Sequence, residues 1–317
     1  MVYQFVERGQ LGPLLNADSD GQHQRRKAFH DIFRSVDGRG SSGMVGDEVR
    51  KVTSTMWLLD NLCGPHNMTA AFDLKHIWKR YLTLLISTSR SSLILGDCLT
   101  RADLQVLLTA AGYDSSAIQS MFNPVDKQNV PSACKLLKAV ADLVDVPDIA
   151  VSSTMLPQLV RARLFGHMVC GLLAPVIELD ASISDLLVKI SKSTHILFVC
   201  FRAAGSKFIP TVLYHDTQAF VQTVFWNIIK LQVFGQEQAY HIHQQGTDSG
   251  ENLFGHMRTL THNSNFNVAE ANTNISTAHQ IHKILEHHPE WSLQGSQNTR
   301  APPRMEPAGV TKYWSTT

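Results

Sequence analysis

The chain is poor in charge and in cysteine, and it has no unbroken apolar run as long as a bilayer is thick. Charged residues make up only 17% of the 317, and 28 basic against 27 acidic side chains leave a formal net charge of +1. That balance excludes a global electrostatic footprint for a polyanion, so any contact with nucleic acid has to come from local patches. The cysteines Cys63, Cys98, Cys134, Cys170 and Cys200 are scattered, odd in number and without a CxxC pair. This argues against a disulfide framework or a thiolate zinc site and for reduced thiols in the nucleus or cytoplasm. The longest apolar run, "LFGHMVCGLLAPVIEL" from Leu164, is interrupted by His167, Pro175 and Glu178. It falls short of the ~20 residues of a membrane span and reads as a buried helix. Glu7 and Arg8 stand where a signal peptide needs apolar residues, so no export signal is expected. Internal repeats and low-complexity runs are also lacking.

What is present is a 44% hydrophobic content, enough to fill the core of one large or two ordinary domains. Asp20 is placed to cap a helix over "GQHQRRKAFHDIFRSV", with Phe29, Ile32, Phe33 and Val36 on one face. A glycine-rich loop follows over residues 37–48, then a helix over "VRKVTSTMWLLDNLCG". A short buried strand ends near Phe72, Asp73 stands at its junction with a helix, and Leu74, Ile77, Trp78, Tyr81 and Leu85 form the buried side of that helix. From residue 91 to about 235 the pattern is persistently helical. Thr100 and Asp103 have capping-box spacing, Gly112 marks a stop and Pro131 a start. In "GTDSGENLFGHMRTL", Leu253, Phe254, Met257 and Leu260 recur at helical spacing, with Glu251 near the helix start. The tail beyond "HHPEW" is polar and without periodicity.

The residues able to carry chemistry are acids and histidines. The pairs His241 and His243, His256 and His262, His279 and His282, and His287 and His288 all miss the HExxH spacing of a zinc-binding helix, and read as packing or surface residues. By position alone Asp73 is a helix N-cap or a metal ligand. Glu251 is favoured near a helix start by the macrodipole whatever else it does. Lys75, His76, Lys79 and Arg80 add local positive charge beside Asp73.

Several segments, taken in order, resemble a known family. "NADSDGQHQRRKAF" is similar to the "ASDGxxxRRxAL" segment, "FDLKHIWKR" to "FDxKHxFKR", "FIPTVLYHDTQAFVQTVFWNIIK" to "FIPxxLYxDxQxxVKNxxF", and "TDSGENLFGHMRTLTHNSNFNV" to "TDRLExLFGxxRTxxGNDxNVD", of transposase-derived proteins related to the P-element type and abundant in fungal genomes. "DKQNVPSACKLL" and "HHPEW" fall in the expected order, so the resemblance covers nearly all of residues 10–291.

The resemblance implies a mainly α protein with a small α/β part: an incomplete RNase H-like core interrupted by a large α-helical insertion. On it, residues 1–90 are a partial core, 91–235 the insertion, 236–291 the returning helices and 292–317 an irregular tail. Asp73 matches the second aspartate of a split Asp, Asp, Glu triad and Glu251 the closing glutamate, both as catalytic residues and as ligands of Mg²⁺ or Mn²⁺. Hard cations of this kind take carboxylate oxygens, and two of them clamp the attacking and leaving oxygens of a phosphodiester. The family's first aspartate lies upstream of the "SDG" segment, and the chain is expected to begin too late to contain it. Asp18 and Asp20 are not expected to replace it, because the resemblance sets them at the start of a later helix. The family's "RLE" is here "SGE", and Gly250 loosens the helix start.

The implied function is a remnant of a DNA strand-cleaving and strand-transfer enzyme, inactive alone. The alternative is a non-catalytic helical module that binds protein, or DNA through Lys75, His76, Lys79, Arg80 and Arg258. The candidate partners are DNA and a second copy of the chain, with no membrane.

Overall fold

A computed structural model of the chain describes residues 16–19, 23–34, 51, 68–233, 240–261, 268–288 and 291. The chain divides into two units, Met1–Thr247 and Asp248–Thr317. In the first, strand β1 (Asn16–Ser19) runs parallel to β2 (Thr69–Phe72), with Asp18 opposite Ala71 and Ser19 opposite Phe72. Parallel neighbours require a crossover, and helix α1 (His23–Arg34) follows β1 within it. β2 passes through Asp73 into α2 (Leu74–Leu85), which buries Leu74, Ile77, Trp78, Tyr81, Leu82, Leu84 and Leu85. The buried side therefore holds every residue that the spacing predicts.

One expectation is corrected here. Asp18 does not begin a helix; it lies in a strand, and the helix starts only at His23. Asp and Ser favour helix starts locally, but here the ladder offered by β2 outweighs that preference.

The block beyond is mainly helical, as expected, with one exception at its entrance. β3 (Ser92–Ile94) and β4 (Asp97–Leu99) form an antiparallel hairpin. Its two-residue turn, Leu95 and Gly96, has φ of 51° and 82°, the left-handed pair that matches the twist of flanking strands. Strands of three residues are too short to show an alternating pattern, which is why the sequence conceals them.

The helices are α3 (Arg101–Ala110), α4 (Ser115–Phe122), α5 (Val130–Asp142), α6 (Leu156–Ile177), α7 (Ile183–Ala204) and α8 (Thr211–Val233). The starts of α3, α4, α5 and α7 are set by side chains that accept from orphan N–H groups: Thr100 with Asp103 as a full capping box, then Asp114, Asn129 ahead of Pro131, and Ser182. α6 is the centre of the block, packed by α5 on one side and α7 on the other. At 22 residues it is longer than the apolar run that marks it, and long and apolar enough by length and composition to cross a membrane. Leu159, Phe165, Met168, Val169, Leu172 and Leu173 are buried in the protein core. α8 crosses back to lie on β2 and α2.

The second unit contains α9 (Asp248–Thr261) and α10 (Val268–His287), packed on each other. Met257 and Ala278 are buried, whereas Phe254 and Leu260 are exposed. The apolar face expected of α9 is thus buried at only part of its width, because a pair of helices offers each partner a narrow seam. Of the helix expected over residues 49–64 only Lys51 is described, in helical conformation; the rest of it, Cys63 and the polar tail lie outside the described residues. Cys98, Cys134, Cys170 and Cys200 are thiols without disulfides.

Candidate functional site

Asp73 stands where β2 becomes α2, and its backbone N–H donates to the Ser19 carbonyl of β1 at 3.0 Å. As the helix cap, its Oδ1 accepts from the backbone N–H of Lys75 at 2.7 Å and of His76 at 3.3 Å. Its Oδ2 accepts from the backbone N–H of Thr247 at 2.9 Å and from the Thr247 hydroxyl at 3.0 Å, a partner 174 positions away. The residue is 3% exposed. Gly246 seats this contact: its φ is +152°, and a Cβ there would stand 2.7 Å from Asp73 Oδ2. Only glycine lets the backbone pass so close to the carboxylate.

One strand away, Asp18 belongs to a polar chain that the sequence does not reveal. The Asn16 amide donates to Asp18 Oδ2, while Asp18 Oδ1 is buried without a hydrogen-bond partner. Asn227 of α8 donates to Asn16 Oδ1 at 3.0 Å and reaches Tyr240 Oη at 3.4 Å, and the Tyr240 hydroxyl donates to Gln245 at 2.6 Å. Burial pushes the Asp18 carboxyl up to about 7; the Asn16 amide opposes this, and the negative charge of Asp73 adds to it. Burial, His241 and Lys75 together hold His243 below its ordinary value.

The raised value of Asp18 fixes the sign of a pH effect. Because the folded chain holds this proton more tightly than the unfolded one, stability falls as pH rises from about 4 to about 7, and the full penalty applies above that. Three units correspond to at most about 4 kcal/mol, and partial solvent access reduces this to about 2 kcal/mol. Asp18→Asn is therefore expected to stabilise the chain by about 2 kcal/mol at pH 8 and to leave it unchanged at pH 4. Urea denaturation at the two pH values measures this, and an unchanged or lowered stability at pH 8 contradicts it.

A second cluster gathers residues of α1, the middle of α2 and α8 around Asp216. Asp216 of α8, 1% exposed, accepts from Arg26 Nε at 3.0 Å and Arg26 Nη2 at 2.7 Å, and from Arg80 Nη1. The Arg26 guanidinium also lies over the Phe72 ring, 5.6 Å from its centre. Close by, the Tyr81 and Thr217 hydroxyls are 3.3 Å apart, and the Thr223 hydroxyl donates to the Ala70 carbonyl of β2. The inner face of α8 thus carries Asp216, Thr217, Thr223 and Asn227, answered by α1, α2 or the strand pair.

The residues expected at a site divide accordingly. Asp73 is buried and fully hydrogen-bonded. Lys75, His76, Lys79 and Arg80 are half-buried on α2, and Arg80 is engaged by Asp216. Glu251 lies in the first turn of α9, exposed, four positions along the chain from Thr247, and Arg258 is exposed further along that helix. Sequence reasoning sets Asp18 aside as part of a helix start and passes over Arg26, Asp216, Asn227, Gly246 and Thr247. For Arg26, Asp216 and Thr247 a signal exists, since each is a fixed position of a segment that carries the family resemblance.

The Mg²⁺ or Mn²⁺ implied by that resemblance can be tested against these contacts. An ionised carboxylate has about four lone-pair sites, and those of Asp73 accept four protein donors. Asp18 offers one unengaged oxygen. Among the described residues no three of His, Cys, Asp and Glu come together as a ligand set. As arranged, the residues do not fit a cluster of divalent ions unless the Thr247 contacts break. No family model, no curated protein and no solved structure matches the chain.

Proposed function

We propose that the chain descends from a DNA strand-cleaving and strand-transfer enzyme of the P-element type and does not cut or join DNA by itself. The observation that carries this reading is where its motifs meet. Arg26 of "RRKAF", Arg80 of "KHIWKR" and Asp216 of "LYHDTQ" form one ion triad, and Asp73 of "FDLKH" is bonded to Thr247 of "TDSGE". All five are positions at which the chain agrees with the family's pattern. Segments that resembled a family by accident would have no reason to converge through those residues. The chain also leaves the strand pair after Asp73, runs through a mainly helical block and returns at Thr247, which agrees with a split core.

In this reading Asp73 and Glu251 descend from the second and closing acids, and Mg²⁺ or Mn²⁺ are the ions such acids hold in an active relative. Inactivity follows from the Asp73 carboxylate, whose oxygens accept protein donors where the chemistry needs them turned to metal. The test is a plasmid nicking and strand-transfer assay of the full chain with Mg²⁺ or Mn²⁺. No product above the Asp73→Ala background is expected, and metal-dependent nicking that Asp73→Ala abolishes would overturn the inactivity.

A second reading, a helical interaction module without catalytic ancestry, is favoured by the mainly helical body and by the engagement of Arg80 with Asp216. Titration with duplex DNA at several salt concentrations separates the two kinds of partner. A surface that tracks phosphates loses affinity steeply with salt, whereas a protein-binding module shows little DNA binding at any salt.

A further inference from the structure

We infer that Asp73, Gly246 and Thr247 form a latch that pins the chain returning from the helical block onto the strand pair, and that Asp73 works there as a structural acceptor in place of a metal ligand. The latch has three parts. The carboxylate is fixed from its own side by the N–H groups of Lys75 and His76 and by the pairing of its backbone to Ser19, so Oδ2 has one direction left in which to point. In that direction stands Thr247, which presents both its N–H and its hydroxyl to the one oxygen. Gly246 allows the approach, since any side chain there meets the carboxylate, and its φ of +152° lies where other residues are strained. A charged acceptor with two donors, 3% exposed, is a strong contact: charge-assisted hydrogen bonds are about twice as strong as neutral ones, and seclusion from water limits competition.

The same geometry turns a divalent ion away. To reach Oδ2 an ion would have to displace the Thr247 N–H and hydroxyl, losing the two hydrogen bonds they make to it and bringing a positive charge up to those donors. Tyr240 and Gln245, joined through the Tyr240 hydroxyl, hold the segment leading into Gly246, and Asn227 anchors Tyr240 to α8. The latch is thus the last contact of a line that follows the returning chain from α8 to β2. It stands apart from the question of ancestry, because a chain of any descent folded this way would hold residues 246–247 in the same manner.

Asp73→Asn is the discriminating variant. Asparagine is as good a helix cap as aspartate, so its carbonyl keeps the Lys75 and His76 contacts, while its NH₂ faces the donors of Thr247 and cannot accept from them. In the full chain, amide exchange at Thr247 is expected to accelerate by about tenfold or more in Asp73→Asn, the factor that a hydrogen bond to a charged group is worth, with exchange at Lys75 and His76 unchanged. Thr247→Val, which keeps the N–H and loses the hydroxyl, is expected to give a smaller acceleration in the same place, and it serves alone if Asp73→Asn does not fold. Wild-type protein titrated with Mn²⁺ and followed by electron paramagnetic resonance is expected to show no saturable site below millimolar ion. Unchanged Thr247 exchange in both variants, or a tight Mn²⁺ site that Asp73→Asn removes, overturns the latch. A tight Mn²⁺ site without DNA nicking refutes the latch and leaves the functional proposal standing. Metal-dependent nicking with Thr247 exchange behaving as expected does the reverse.

Discussion

Replacing Gly171 by alanine is expected to destabilise the chain by about 3 kcal/mol or more, although alanine is the better helix former by about 1 kcal/mol. Gly171 lies in the middle of α6, where that helix meets α7. A Cβ at this position would stand 2.6 Å from the backbone carbon of Lys189, with the Lys189 carbonyl oxygen and the Ser193 hydroxyl closer still. Two of those atoms are backbone of the neighbouring helix, so no rotamer change makes room; the helices must separate or α6 must turn. Either movement opens gaps around Leu172, Leu173 and Ile190, all of them buried, and interiors packed to crystal-like density resist such shifts. Gly255 in α9 is the control. Nothing lies within 4 Å of a Cβ built there, so Gly255→Ala is expected to follow propensity and stabilise its helix by up to about 1 kcal/mol. Thermal or urea denaturation of the two variants distinguishes them by sign. A Gly171→Ala protein as stable as wild type would mean that α6 and α7 are not in the close contact described.

Gly171 also marks the boundary between what the sequence makes legible and what it does not. Features that follow from spacing along one element are legible: the buried stripe of α2, the Thr100 and Asp103 capping box, Pro131 at a helix start and the apolar length of α6. Each depends on a period or a local hydrogen bond, and neighbours in the chain are enough to reveal it. That Gly171 touches Lys189 depends on how two helices cross, and neither helix carries that information in its own pattern. The same holds for β1. "NADS" has the composition of a turn or helix start, and only a partner strand some fifty residues downstream makes it a strand. α8 falls within the expected helical block, and what stays concealed is that its polar residues face inward. Asp216, Thr217, Thr223, Asn227 and Lys230 are buried beside Leu213, Phe220, Val221 and Val224, so apolar spacing alone does not mark them as inward. Asp73 was legible as a residue that matters, both as a cap and through the resemblance. Its partner Thr247 was not, although it belongs to the motif that also contains Glu251, because attention to acids passes over a threonine.

Asp216→Ala is expected to be the most destabilising single change at the strand pair, at about 3–5 kcal/mol, the range for removing one partner of a buried ion pair. The carboxylate is 1% exposed and holds two guanidinium groups, Arg26 through two hydrogen bonds and Arg80 through one. Without it, Arg26 of α1 and Arg80 of α2 lose the carboxylate they share, and the Arg26 stack on Phe72 loses the anchor that orients it. Both arginines keep partial access to water, 23% and 32% of their side chains, which places the cost toward the lower end of the range. Asp216→Asn is expected to cost nearly as much, since its amide can accept from one guanidinium but carries no charge to balance either. Arg80→Ala alone is expected to be milder, because it leaves the two hydrogen bonds from Arg26 to Asp216 in place, and the double variant Asp216→Ala with Arg80→Ala is expected to be more stable than Asp216→Ala alone. That reversal is the signature to look for in denaturation midpoints, because a residue that merely fills space gives additive losses. It also bears on the functional reading, since the triad joins three segments that carry the family resemblance. If the losses prove additive and small, those segments do not meet through Asp216, and the argument from their convergence loses its firmest contact.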